Sequence, residues 1–156
     1  MSAAEMHHVV YEIQMLTSAI FALSERELRD DYRNAWIESF AIHARNLNEF
    51  FGIERKPRND HKGYMRAGHF VEWSKPYRFN AQLDSRACEQ VAHITFNREA
   101  PEKKTGWDFK GVFELLRAPS IEFLLKVAAD ETLMAWGNNR QQTEELLALL
   151  PRIKIV

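Results

Sequence analysis

Apolar residues recur at helical spacing along most of the chain. Val9, Ile13, Leu16, Ile20 and Leu23 fall three or four positions apart, which predicts an amphipathic helix near the N-terminus. Ser24-Glu25-Arg26-Glu27 has the spacing of a capping box, so a second helix is expected from about Glu25 to Phe51, ended by Gly52. Its apolar stripe is Tyr32, Trp36, Phe40, Leu47 and Phe50, widened by Ile37, Ala44 and Phe51, and His43 falls inside it. A third helix fits Asn80 to about Phe96, with Phe79, Leu83, Ala87, Val91 and Ile94 on its apolar side. Trp107 to Arg117 fits a short fourth helix starting near Trp107 or Asp108, and Pro119 opens a fifth that carries Ile121, Leu124, Leu125 and Ala128 towards Trp136. Gly137-Asn138-Asn139 breaks the pattern before a last helix from Gln141 to Leu150, which Pro151 closes.

From Ile53 to about Pro76 the helical pattern stops, and within that stretch His69 to Trp73 fits either a strand or a helical turn. No series of strands alternates with helices, which argues against a doubly wound sheet. The pattern predicts an all-α fold: one domain over residues 1–156, an up-and-down bundle of about five to six helices with one long irregular loop.

Composition narrows the class without naming a function. The chain has 156 residues, 46% hydrophobic and 28% charged, enough to bury a core without staples. A formal net charge of −1 excludes a polybasic tail or membrane anchor, although not a local basic patch. Cys88 is the only cysteine, which excludes a disulfide framework and a cysteine-rich zinc module and points to a reducing, cytoplasmic setting. With only Arg86 as a basic neighbour on its helix, Cys88 is expected to be a buried, inert thiol. Six glycines and five prolines are too few for a propeller or multi-hairpin barrel. Bilayer spanning takes an uninterrupted apolar run of about 18 residues; none occurs, so no membrane association is expected.

Several chemistries lack their motifs. There is no glycine-rich phosphate loop, no H-E-x-x-H and no pair of E-x-x-H motifs. His7 and His8 are adjacent, so on a helix they point about 100° apart and do not face one metal together. Neither a cofactor nor a metal site is expected.

The stripe Gln82, Arg86, Gln90 and His93 on the third helix borders its apolar side. Arg86 and His93 are seven positions apart, which on a helix returns to within about 20° with an axial offset of about 10.5 Å, much of it within reach of an arginine. Together they offer a proton-transfer group and a fixed positive charge. Metal-free cleavage of an RNA phosphodiester needs both: a base for the ribose 2′-hydroxyl and a cation for the charge gathering on phosphate oxygens. Glu89 lies three residues from Arg86 and four from His93, so the same stripe also fits an ordinary solvated helix face.

The arginine and histidine, placed near the end of a helix in a small all-α chain, resemble the R-x4-6-H motif of HEPN-domain proteins. The likeness rests on two segments: Trp36 to Phe51, with its Glu38-Ser-Phe-x-x-His43-Ala-Arg45-x-Leu run, and Ser85 to Arg98, with Arg86-x6-His93-x-Thr95-Phe96. The resemblance implies a helical domain carrying a metal-independent endoribonuclease site of toxin or antiphage type, with Arg86 and His93 as its catalytic pair and Gln90 and Thr95 beside them. It also implies a homodimer, in which two motifs share one cleft, and an antitoxin or other protein partner. Ala87 follows the arginine where active members carry a polar residue. The alternative is therefore a non-catalytic helical interaction module that binds a protein partner or a nucleotide.

Other polar residues are expected in support. Glu38 and Arg45, also seven apart, share a face of the second helix and are expected to brace the third by contacting Arg86 or His93. His43, between Phe40 and Leu47, fits a hydrogen-bonded core histidine better than a catalytic one. Arg55, Lys56, Arg58, Lys62 and Arg66 give residues 54–66 a local charge of +3, suited to an RNA backbone with His61 and Tyr64 available for stacking, or simply solvated. A stretch of −3 at residues 120–150 balances it. Trp73, Tyr77 and Trp107 are expected as lids over the bundle ends rather than as stacking platforms.

Overall fold

The computed structural model describes residues 2–25, 27–52, 65–73, 80–87 and 108–155. Among these residues six α-helices and two short 3-10 turns build an all-α bundle without strands. Helix α1 (Ala3–Leu23) starts on a capping box: the Ser2 hydroxyl accepts from the Glu5 amide, and the Glu5 carboxylate accepts from the Ser2 amide at 2.7 Å. Ser24 closes this helix rather than opening the next, its hydroxyl donating back to the Ile20 carbonyl at 2.8 Å. Helix α2 (Asp30–Phe51) therefore begins five residues later than the Ser24–Glu27 spacing predicts. Asp30 and Asp31 place negative charge in its first turn, where the helix dipole favours it.

A 3-10 turn (Ala67–His69) ends where the ambiguous stretch His69 to Trp73 begins, and residues 70–73 form neither a strand nor a helix. Helix α3 is described from Ala81 to Ala87; the remainder of its expected span, with Cys88, lies outside the described residues. Helix α4 (Phe109–Ala128) corrects the sequence-based division at Pro119. Proline inside a helix removes one amide donor and crowds the preceding turn, which is why a boundary is expected there. Here Pro119 is buried between Leu116 and Phe123, both wholly buried, and packing carries the helix through. Its start is capped by Asp108, whose carboxylate accepts from the Gly111 amide at 2.8 Å.

Helix α5 (Glu131–Met134) is a single turn, where the pattern predicts a continuation towards Trp136. Gly137 adopts a positive φ of 53° and turns the chain into α6 (Asn139–Leu149), two residues earlier than expected. A second 3-10 turn (Leu150–Arg152) contains Pro151.

Helix α1 packs most extensively on α2, and α4 lies across both and against α6. Val9, Ile13, Leu16 and Ile20 are buried as their spacing requires, and so are Phe40, Ala44, Leu47, Phe50 and Phe51 on α2. Tyr32, at the start of the α2 stripe, is instead 55% exposed. Phe123, wholly buried, is the hub of the aromatic core, with ring centroids at 5.1 Å from Phe50, 5.9 Å from Phe51, and 6.1 Å from both Phe70 and Trp73. Trp73 is a lid: it stacks on Phe51 at 5.5 Å, donates its indole N–H to the Phe51 carbonyl at 3.2 Å, and carries the Lys126 ammonium over its ring at 5.2 Å. Tyr77 and Trp107 lie outside the described residues. Buried Asn139 links distant parts of the chain, its amide donating to the Ala3 carbonyl at 2.9 Å and the Leu133 carbonyl at 3.0 Å.

Replacing Phe123 by Ala should lower the unfolding free energy by about 3–5 kcal/mol, read from urea denaturation, because a cavity replaces the ring at the meeting point of four aromatics. A second expectation concerns Asp130, the N-cap of α5. The Thr132 hydroxyl, then the Thr132 and Leu133 amides, hold its carboxyl below the ordinary aspartate value. A depressed folded-state value means the cap contributes above the ordinary aspartate range and is lost as pH falls through the folded value. NMR titration should show the Thr132 and Leu133 amides shifting with that carboxyl, below the range of exposed aspartates.

Candidate functional site

The candidate site is built around α3, and buried hydrogen bonding to α2 sets where that helix begins. Asn48 on α2 is wholly buried; its side-chain amide donates to the Asn80 carbonyl and its side-chain oxygen accepts from the Asn80 amide, both at 3.0 Å. Asn80 in turn caps α3: its side-chain oxygen accepts from the Gln82 and Leu83 amides, each at 3.1 Å. A buried side chain on one helix thus fixes the residue that starts the next. Leu83 and Ala87 then point into the core.

A second tie joins the same two helices. The Arg45 Nε donates to the Asp84 carboxylate at 2.9 Å, with both side chains about a third exposed. Arg45 does reach α3, then, and the described contact is with Asp84. Two positions separate Asp84 from Arg86, about 200° around the helix, so this ion pair steadies α3 from the side away from Arg86. Arg86 itself is half-buried, one residue before the end of the described part of α3. Glu38 is exposed on α2. His93, Glu89, Gln90 and Thr95 lie outside the described residues, as do Arg55, Lys56, Arg58 and Lys62.

His43 lies at the α1–α2 interface, where its Nδ1 is 2.7 Å from the Glu12 carboxylate. The same Glu12 oxygen accepts from the Asn46 side-chain amide at 3.1 Å, and the Tyr11 ring meets the His43 imidazole edge-on at 5.7 Å. Arg66, of the basic segment, is turned inward: its guanidinium donates to the Gly52 carbonyl at 3.2 Å and the Glu49 carbonyl at 3.5 Å, where a cation also meets the negative end of the α2 dipole.

Among the described residues no group of three His, Cys, Asp or Glu side chains is placed to hold a metal ion, and no helix is long and apolar enough to cross a membrane. His7 and His8 diverge, their rings tilted by 59° at 6.3 Å, and His7 packs on Trp136 instead.

Sequence reasoning missed Asn48, Asn80, Asp84 and Glu12. Asn80 carried a signal, an Asx residue directly before an apolar-periodic segment. Asn48 carried none, because an asparagine inside a helix pattern reads as a solvated position. The chain matches no family model, no curated protein and no solved structure.

Replacing Asn48 by Ala should cost about 1–3 kcal/mol, because it leaves the Asn80 backbone groups without their partners. A double-mutant cycle on Arg45 and Asp84 should return a coupling below about 1 kcal/mol, since both groups are partly solvated. Urea denaturation of the variants measures both quantities.

Proposed function

We propose that the chain is a HEPN-like, metal-independent endoribonuclease of toxin or antiphage type, acting in the cytoplasm as a homodimer. The observation that carries this is the Arg86-x6-His93 spacing, on a segment whose first residues are anchored to α2 through Asn48 and Asn80. A catalytic side chain is useful only when its backbone is held, and a buried amide exchanging two hydrogen bonds supplies such a hold.

In this chemistry His93 accepts the proton of a ribose 2′-hydroxyl as that oxygen attacks the adjacent phosphorus, and the 5′-oxygen leaves. Arg86 balances the charge gathering on the phosphate oxygens. The departing 5′-oxygen needs a proton, and one histidine per chain provides for only one of the two transfers. A two-fold symmetric pair of chains supplies the second histidine. The basic residues Arg55, Lys56, Arg58 and Lys62 would draw the RNA backbone in.

One observation favours a second reading. Ala87, next to Arg86, is 2% exposed and points into the core, where active members of the resembled family carry a polar residue. In this reading the chain is a non-catalytic module that binds an antitoxin-like protein partner or a nucleotide.

RNA incubated with the purified protein separates the two. Cleavage that survives excess chelator, falls by about a hundredfold or more in His93→Ala and Arg86→Ala, and leaves helicity and dimer mass unchanged supports the nuclease. Intact RNA with the wild-type protein, or undiminished cleavage by His93→Ala, overturns it.

A further inference from the structure

Away from α3, helices α1 and α2 and the chain at Met65 enclose a pocket of about 200 Å³. Its floor is apolar: Val9, Leu47 and Phe50 are buried, and Met65 is half-buried beside them. Two acidic residues, Glu12 and Glu49, are in the lining with Asn46 and His8. Glu12 does not swing freely. One of its oxygens is held by His43 at 2.7 Å and Asn46 at 3.1 Å, so the carboxylate is fixed in position beside the pocket.

We infer that this pocket binds a small linear alkylamine, with the ammonium at Glu12 and Glu49 and the alkyl stem on Val9, Leu47, Phe50 and Met65. Charge and size choose this ligand. The lining has two acidic residues and no lysine or arginine. An anion is repelled there, and a neutral apolar molecule strips water from two carboxylates without replacing it. A metal ion would lack ligands, since no three donors converge among the described residues. Water occupies about 30 Å³ per molecule, so 200 Å³ suits a ligand of few heavy atoms, below the range of drug-sized pockets.

Alkyl stem and ammonium are read by different parts of the pocket, so the two can be tested separately. The 156-residue chain at pH 8 is titrated with pentylammonium, 1-pentanol and pentanoate, followed by amide NMR shifts. Pentylammonium should saturate at about millimolar concentration, moving the amides of Val9, Glu12, Asn46 and Phe50. Pentanol should bind about tenfold more weakly, and pentanoate should not saturate. Glu12→Gln should weaken pentylammonium about tenfold, and Met65→Trp, which fills the cavity, should abolish binding. Because Glu12 also orients His43, Glu49→Gln serves as the second variant: Glu49 uses only its backbone carbonyl in the hydrogen bond from Arg66. Equal binding of pentanol and pentylammonium overturns the inference, as does undiminished affinity in Glu49→Gln or shifts confined to residues outside the pocket. None of these outcomes depends on RNA cleavage.

Discussion

The constraint on which the α3 region depends is the double hydrogen bond between the buried Asn48 side chain and the backbone of Asn80. An amide buried in an apolar interior is costly unless its donor and acceptor are both used. Here the donor and the acceptor are spent on the same residue, which fixes that residue's position and also its orientation. Asn80 then passes the constraint on, because its own side chain caps α3. The Arg45–Asp84 pair adds to this from the surface but is partly solvated, so the buried amide sets the register and the ion pair trims it.

Around that polar tie the bundle is held by an aromatic centre that joins elements far apart in sequence. Phe50 and Phe51 end α2, Phe70 and Trp73 follow the 3-10 turn, and Phe123 comes from the middle of α4. Edge-to-face packing among them places the C-terminal end of α2 in a fixed relation to α4. Arg66 completes the same corner by meeting the last carbonyls of α2. A residue that sequence assigns to an RNA-facing loop thus also serves the end of a helix.

The helical class was legible because burial selects a 3.6-residue period, and Val9 through Ile20 and Phe40 through Phe51 follow it closely. The boundaries were less so. Ser24 has the chemistry of either helix end, and only the structure shows its hydroxyl turned back to Ile20. Pro119 reads locally as a helix start, yet burial on both sides carries α4 through it. At the candidate site the spacing of Arg86 and His93 could be read directly, because it is a property of the linear sequence. The partners that hold the helix could not, since Asn48 and Asp84 find theirs across 32 and 39 positions of chain. The Glu12–His43 pair is likewise invisible in a linear pattern, spanning 31 positions.

Asn139 has a consequence for the order in which the chain assembles. Helices α1 and α2 are neighbours in sequence, and their shared face can form as soon as both exist. The bond from Asn139 to the Ala3 carbonyl spans 136 positions, so loop-closure entropy sets it among the last contacts to be made. During synthesis, the edge of α1 that later receives α6 is left uncovered until the residues of α6 have left the ribosome. Until then, a helical body with one open edge on α1 is the species that chaperones, or a second copy of the same chain, would meet.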